Sequence, residues 1–164
     1  MTQKIKNQKN LENASGKISP AAKNKIIFSG KRKTAVARAV LTDGSGKIRL
    51  NNQDYKNIQL FDRLKIEEPL RIAKEILGED KTKFNVAIKI KGGGEKSQIE
   101  AARLALARAI IQFAKKDFSL EKSKELKEAY LKYDRNLLVA DIRQKEAYKP
   151  GDSKARSKRQ TSYR

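Results

Sequence analysis

Two stretches of the chain alternate apolar and polar residues, which is the spacing of a β-strand with one buried face. One stretch covers about residues 33–41 and the other about residues 84–90. The residues expected to share one side of their strand are Ala35, Ala37, Ala39 and Leu41 in the first stretch and Phe84, Val86, Ile88 and Ile90 in the second. Ordered structure is expected to begin shortly before the first stretch, near Ile26.

A turn is predicted between the first strand and a shorter one that follows it. The segment Asp43-Gly44-Ser45-Gly46 has the Asp and Gly residues that tight hairpin turns favour. Ile48 and Leu50 then alternate with polar residues. The pattern predicts a β-hairpin in which residues 33–41 pair with the strand around Ile48.

A helix is predicted between this hairpin and the strand at residues 84–90. Residues 55–66 already show a mostly helical spacing of apolar side chains. Pro69 is typical of the first turn of a helix, and Glu67 and Glu68 would lie favourably at its positive end. Gly78 is expected to end this helix.

Two more helices are predicted after the second strand. Three glycines at residues 92–94 interrupt that strand, and Ser97 with Glu100 has the spacing of a capping box. A long helix is expected from there to about Ala114, and another over residues 122–133. Strands mixed with helices in this order predict a small α+β domain with one sheet that helices cover on one face.

Both ends of the chain lack an apolar period, which divides it into three parts. Residues 1–25 are expected to form a flexible extension, residues 26–141 a globular domain, and residues 142–164 an extended basic tail. The last eleven residues hold five basic side chains and no acidic one. Such a segment gains order when phosphates surround it and its cations displace condensed counterions.

The net charge of the chain limits the classes of partner that it is expected to bind. The 164 residues include 39 Lys and Arg against 19 Asp and Glu, so the net charge is +20. Repulsion of this size opposes compaction unless a polyanion neutralises it. RNA, DNA and an acidic membrane all qualify, but the chain has no long apolar run, so a membrane is the weakest of the three.

Composition also excludes several kinds of chemistry. The chain has no Cys and no His. Disulfides, thiol chemistry and ordinary zinc sites are therefore excluded, and the usual general base is missing. We expect no catalytic activity, no metal and no cofactor, and we expect a cytosolic protein.

The first candidate site is the basic run Lys31-Arg32-Lys33, followed by Arg38. With Gly30 before it, the run resembles part of a phosphate-binding P-loop, but no glycine lies five positions before Gly30 and Lys31 is followed by Arg. Three consecutive cations at a strand edge are instead able to grip a phosphate backbone. The alternative is a solvated basic edge, and the overall charge favours binding.

The second candidate site is the glycine loop Gly92-Gly93-Gly94. Glycines allow close approach of the backbone, and free amides at a following helix start can meet an anion. By itself, a plain strand-to-helix turn that needs positive φ explains these glycines better. The pairs Asp134-Arg135 and Asp141-x-Arg143 are interpreted as local ion pairs that hold the start of the tail.

Short motifs follow one another along the chain in a fixed order. They are Ser29-Gly-Lys-Arg-Lys-Thr-Ala-Val-Ala-Arg38, Glu68-Pro-Leu70, Gly92-Gly-Gly94 with Gln98-x-x-Ala-Ala-Arg103, Tyr133-Asp-Arg135 with Leu137-Leu-Val139, and the ending Ala155-Arg156…Gln160-x-Ser-Tyr-Arg164. In this order and spacing they resemble one known family, the universal small-subunit ribosomal protein S-nine family in its archaeal and eukaryotic branch. The resemblance runs from about Ile26 to Arg164.

The resemblance implies a fold and a place in the ribosome. It implies a two-layer α/β domain like the second domain of ribosomal protein S-five, located in the head of the small subunit and bound to its ribosomal RNA. The tail would thread through that RNA towards transfer RNA in the peptidyl site. Partners would be the small-subunit ribosomal RNA, peptidyl-site transfer RNA and neighbouring head proteins, without a membrane and without homo-oligomers.

The expected binding residues follow from this matching together with charge and position. Residues 162–164 are expected to contact transfer RNA: Ser162, Tyr163 and Arg164. Tyr163 either packs on a sugar or base or is merely an exposed ring. The residues expected to contact ribosomal RNA are Lys31, Arg32, Lys33, Arg38, Gly92, Gly93, Gly94, Arg135, Arg143, Lys149, Lys154, Arg156, Lys158 and Arg159.

Overall fold

The computed structural model describes residues 25–78, 83–160 and 162. This part of the chain forms a mixed α+β structure with five strands and three α-helices. The predicted fold class is therefore confirmed at this level. The elements are β1 (Ile26–Arg32), β2 (Ala35–Asp43), β3 (Ile48–Leu50), β4 (Gln53–Asp54), α1 (Leu60–Leu77), β5 (Phe84–Lys91), α2 (Glu95–Asp117) and α3 (Leu120–Tyr133).

The strands form one sheet in the order β1-β2-β5-β3-β4. All neighbouring strands are antiparallel except β3 and β5, which are parallel. The strand predicted from about Lys33 to Leu41 is β2, which begins at Ala35 because Lys33 lies in the turn between β1 and β2 with a φ of 52°. Sequence alternation located β2 correctly but missed β1.

The predicted hairpin at residues 43–46 is wrong, since β5 lies between β2 and β3. The connecting segment crosses the start of β5 and bonds to it. The side-chain oxygen of Asn85 accepts hydrogen bonds from the backbone N–H groups of Ser45 at 3.1 Å and Lys47 at 3.0 Å. The Val86 N–H donates to the Lys47 carbonyl at 2.8 Å. These contacts depend on Asn85, which is distant in sequence.

Helices cover one face of the sheet, and the core lies between the helices and the sheet. All eight strand residues that alternation placed on a common side of β2 or β5 are buried. They pack with α2, whose buried face includes the expected Ile99, Leu106, Ile110 and Phe113. Burial of this apolar surface is the main stabilising contribution to the fold.

Helix α1 begins nine residues before Pro69, so the prediction that Pro69 starts a helix is wrong. The buried residues Ile66, Pro69, Ala73 and Leu77 form one continuous stripe, and burying it outweighs the lost hydrogen bond at proline. Glu67 lies inside the helix and pairs with arginines one turn away on either side. Gly78 ends the helix as expected, with a φ of 89°.

The predicted capping box is also wrong. Helix α2 begins at Glu95 with Gly94 as its N-cap, and the Glu100 carboxylate contacts Arg32 instead of the helix start. Helix α3 begins after Ser119, whose hydroxyl accepts a hydrogen bond from the Lys122 N–H at 3.3 Å. Ser119 is thus an N-cap that the sequence interpretation missed.

A short 3₁₀ turn, Arg135–Leu137, follows α3 and buries Leu137 against the core. From residue 138 to residue 160 the chain forms neither helix nor strand. The predicted N-terminal extension lies outside the described residues apart from Lys25. Within the described ranges, no helix is long and apolar enough to cross a membrane.

One buried hydrogen bond joins α3 to the proline inside α1. The Tyr130 hydroxyl donates to the Pro69 carbonyl at 2.7 Å, and the Tyr130 side chain is fully buried. Burial raises the pKa of Tyr130, so the phenol stays protonated and remains a donor.

We expect Tyr130→Phe to lower the free energy of unfolding by about 0.5–1.5 kcal/mol, because a buried hydrogen bond to the Pro69 carbonyl is lost. Urea denaturation followed by circular dichroism measures this. Tyr133→Phe, at a half-exposed ring three residues away, is the matched control and should change stability by less than about 0.5 kcal/mol. Equal losses in the two variants would contradict the role of this hydrogen bond.

Candidate nucleic-acid interface

The face of the sheet opposite the helices is open and carries exposed cations. Because side chains alternate between the two faces, the residues between the buried ones point to this side. Five exposed basic residues lie on it: Lys31, Arg38, Arg49, Lys89 and Lys91. We call this surface the open face. Only Lys31 and Arg38 were singled out from the sequence, although the alternation of β5 already placed Lys89 and Lys91 on this face.

Strand register brings these cations close together. Arg38 on β2 lies directly opposite Lys89 on β5. One row further on, Lys31 and Lys91 flank Val36 from the two neighbouring strands. Like charges directly opposite each other destabilise a sheet.

No carboxylate relieves this repulsion within residues 25–78 and 83–160. There, none of the five side chains of the open face forms a hydrogen bond or an ion pair. The residues among the cations include Ser29, Val40 and Ala87, which are small or β-branched. Arg49 lies directly opposite Asp54 of β4, whereas the cations of β1, β2 and β5 have no carboxylate directly opposite them. The part of the open face formed by β1, β2 and β5 is therefore a cationic surface without a counter-charge of its own.

The turn between β1 and β2 packs against the glycine loop, which explains two of the three glycines. Gly92 and Gly93 have φ values of 73° and 69°. A Cβ at Gly92 would lie 2.7 Å from the Thr34 carbonyl oxygen, and one at Gly93 would lie 2.8 Å from the Ala35 Cβ. The plain structural interpretation of the loop thus holds for these two residues.

Gly94 differs from its two neighbours. A Cβ there would meet nothing within 4 Å, and no side chain caps the first turn of α2. Lys33 lies exposed in the adjacent turn. Gly94 and Lys33 are therefore both accessible to a ligand, as the sequence analysis expected.

Arg32 does not lie on the open face. It is at the end of β1 on the helix side, and its side chain is 18% exposed. Its Nε donates to the Glu100 carboxylate at 2.7 Å, and its Nη2 lies 3.2 Å from the Asp141 carboxylate. Its Nη1 donates to the carbonyls of Asp141 and Arg143 at 3.4 and 3.3 Å. All three nitrogens of this guanidinium are engaged within the chain.

The two Asp-Arg pairs near the tail behave differently. Asp141 accepts hydrogen bonds from the side chain and backbone of Arg143, and together with Arg32 these hold the pKa of the Asp141 carboxyl at about 2. That pair is confirmed. Asp134 pairs with Arg103 at 2.9 Å and not with Arg135, whose side chain is exposed.

The cations of the tail that the sequence analysis named are exposed: Lys149, Lys154, Arg156, Lys158 and Arg159. Local contacts shape the segment around them. The Asp152 N–H donates to the Lys149 carbonyl at 3.2 Å, and Gly151 has a φ of 90°, which are features of a type II turn with Pro150 at its second position. Ser162 is exposed, whereas Tyr163 and Arg164 lie outside the described residues.

Comparison with known proteins shows the family. The profile of the family described as Ribosomal protein S9/S16 matches residues 30–164. The chain belongs to this family. The resemblance that the motifs indicated is therefore confirmed, and the family consists of structural, non-enzymatic ribosomal proteins.

Archaeal proteins of the same family align with this chain over almost their full length. The Small ribosomal subunit protein uS9 of Methanococcus vannielii is 46% identical over 144 residues, which cover 85% of this chain and 99% of the relative. The proteins of the same name from Methanothrix thermoacetophila and Thermoplasma volcanium are 44% and 42% identical, over 85% of this chain and 98% of each relative.

The contact between the glycine loop and the β1–β2 turn generates a stability prediction. We expect Gly93→Ala to lower the free energy of unfolding by about 1–3 kcal/mol, because the positive φ and the close approach to Ala35 are both unfavourable for a Cβ. Thermal or urea denaturation measures the change. Gly94→Ala is the matched control in the same loop, where a Cβ meets nothing, and a similar loss there would contradict the explanation.

Proposed function

We propose that this chain is a structural component of the small ribosomal subunit that binds ribosomal RNA through its open face and its basic tail. The observation that carries the proposal is Arg38 directly opposite Lys89, two cations with no carboxylate partner in the described part of the chain. Their repulsion is relieved when a phosphate lies between them. Further cations on the same face, Lys31 and Lys91, favour a backbone of phosphates over a single small anion.

Membership of a ribosomal protein family supports RNA as the polyanion in preference to DNA. The relatives are named as proteins of the small ribosomal subunit. The described residues have few aromatic side chains on the open face, so base stacking is not the main mode of contact. We infer that the open face contacts the sugar–phosphate backbone and carries little base specificity.

The proposed contacts differ in kind along the chain. Residues 26–141 form the RNA-binding domain and residues 142–164 the tail that enters the RNA. Arg32, Gly92 and Gly93 are left out as direct contacts, because each is engaged within the fold. The proposed ribosomal RNA contacts are Lys31, Lys33, Arg38, Arg49, Lys89, Lys91, Gly94, Arg135, Arg143, Lys149, Lys154, Arg156, Lys158 and Arg159.

A salt titration tests the open face. The full-length protein should bind a fragment of small-subunit ribosomal RNA with an affinity that falls steeply between 50 and 200 mM salt, on the order of 10³-fold or more for six or more phosphate contacts. We expect Arg38→Gln with Lys89→Gln to reduce the slope of log affinity against log salt by about 0.7–1.8, since one or two phosphate contacts are lost.

The matched control removes the same charge from the helix side of the domain. Lys124→Gln with Lys127→Gln, both exposed on α3, should leave the slope close to that of the unaltered protein. The unfolding free energy of the open-face variant should not fall, because a repulsive pair has been removed. An identical loss of slope in both double variants would mean that only net charge matters and would overturn the open face as the binding surface.

We also propose that the last three residues, 162–164, reach transfer RNA in the peptidyl site, as the family resemblance implies. An arginine guanidinium forms bidentate bonds to phosphate that no other side chain reproduces. The rival hypothesis is that the tail only tethers ribosomal RNA. The two hypotheses differ in what shortening the tail does.

Replacing residues 162–164 with three glycines keeps the chain length and removes the proposed contacts. Subunit assembly should stay nearly normal, and transfer RNA should bind the peptidyl site of purified mutant subunits more weakly by about 1–3 kcal/mol. Replacing only Thr161, the residue before the proposed contacts, with Gly is the control for a local backbone effect. Unchanged transfer RNA affinity in the triple variant would refute this role.

A further inference from the structure

Three arginines of the folded domain point their guanidiniums at the chain that leaves α3. Arg103 and Arg108 lie on α2, and Arg32 lies at the end of β1. Their contacts fall at three successive places along residues 134–143, each three or four residues after the last. We call these three side chains the arginine clamp.

The first contact is at the end of α3. The Arg103 Nη1 donates to the Asp134 carboxylate at 2.9 Å, and its Nη2 pairs with the Glu68 carboxylate of α1. The Arg103 side chain is only 15% exposed. Arg103 thus fixes the residue at which α3 ends to both of the other helices.

The second contact is at Leu138. Arg108 donates to the Leu138 carbonyl from Nε at 3.1 Å and from Nη2 at 2.8 Å. Its Nη1 donates to the Ser29 carbonyl at 2.9 Å. A single guanidinium therefore joins the edge strand β1 to the backbone of the departing chain.

The third contact is the one made by Arg32 at Asp141 and Arg143. Its Nη1 binds two backbone carbonyls of the departing chain, and its Nη2 contacts the Asp141 carboxylate. The Asp141 carboxylate also accepts from the Arg143 backbone N–H at 2.9 Å. Several of the acceptors in the clamp are backbone carbonyls, so the contacts define a path of the chain and not merely a set of paired charges.

We propose that the arginine clamp sets the direction in which the basic tail leaves the domain before any RNA is bound. Holding residues 138–143 in one path lowers the conformational entropy that the tail loses when it enters RNA. In this role Arg32 is a positioning residue. The basic run Lys31-Arg32-Lys33 then contains two different functions, since its outer lysines face solvent and its central arginine faces the chain.

Distance measurement in the free protein tests the clamp. The chain has no cysteine, so Lys124→Cys with Ala147→Cys gives one nitroxide pair between exposed positions on α3 and in the tail. Double electron–electron resonance should show a narrow distance peak in the protein with the clamp intact. We expect Arg32→Gln to lose that peak and give a broad distribution.

Two control variants test whether the effect of Arg32→Gln comes from lost positioning of the tail and not from lost charge or lost stability. Lys31→Gln removes the same charge from the neighbouring residue on the open face and should keep the narrow peak. Tyr130→Phe lowers stability at a buried contact in which Arg32 takes no part and should also keep the narrow peak. Arg32→Lys retains the charge but has one nitrogen for four acceptors, so it should broaden the distribution.

The outcomes decide the proposal in either direction. A narrow peak in Arg32→Gln, or broadening of the same size in Lys31→Gln, overturns it. If Arg32→Gln does not fold, Asp141→Ala removes the carboxylate that Arg32 and Arg143 share on the surface side, and the same loss of the peak is expected. The measurement contains no RNA, so its failure would leave the RNA-binding proposal standing, and the salt titration tests that proposal separately.

Discussion

Close packing of α2 against β1 and β2 is the constraint on which the rest of the structure depends. The facing residues are small: Ala35, Ala37 and Ala39 on β2 meet a helix whose buried face is rich in alanine. At Gly30 even a methyl group is excluded, since a Cβ there would collide with the Ala101 carbonyl and lie 2.7 Å from the Ala105 nitrogen. A helix packed this closely excludes water from one face of the sheet, and the other face stays exposed to solvent.

The arginines and lysines on the two sides of the sheet differ in their contacts. Cations on the open face have no partner in the described part of the chain and are available to phosphate. Arginines on the helix side find carboxylates and carbonyls within the fold, as Arg32 and Arg108 do. The cations that give the chain its net charge of +20 are therefore not all equally available for binding. Some of it stabilises the fold and the path of the chain, because a guanidinium with several donors suits converging acceptors.

Much of the fold could be predicted from local pattern, and the errors have one origin. Alternation found the buried sides of β2 and β5, and helical spacing found α2 and α3. The wrong predictions were the hairpin at residues 43–46, the helix start at Pro69 and the capping box at Ser97. In each of these the residues had a reasonable local role, but contacts with residues distant in sequence were more favourable. The turn bonds to Asn85, the apolar stripe of α1 that contains Pro69 is buried in the core, and Glu100 binds Arg32.

By itself the sequence determined the fold class, the family and the demand for a polyanion, because periodicity, motif order and net charge are all properties of the linear chain. Only the tertiary structure decided which cations remain accessible and which are engaged within the fold. Lys31 and Arg32 are neighbours in a strand and carry the same charge, yet the pleat sends one to the open face and the other to the departing chain. Arg38 and Lys89 are far apart in sequence and become a pair only because β5 inserts beside β2. Strand order is fixed by contacts across the whole domain, and no local pattern contains it.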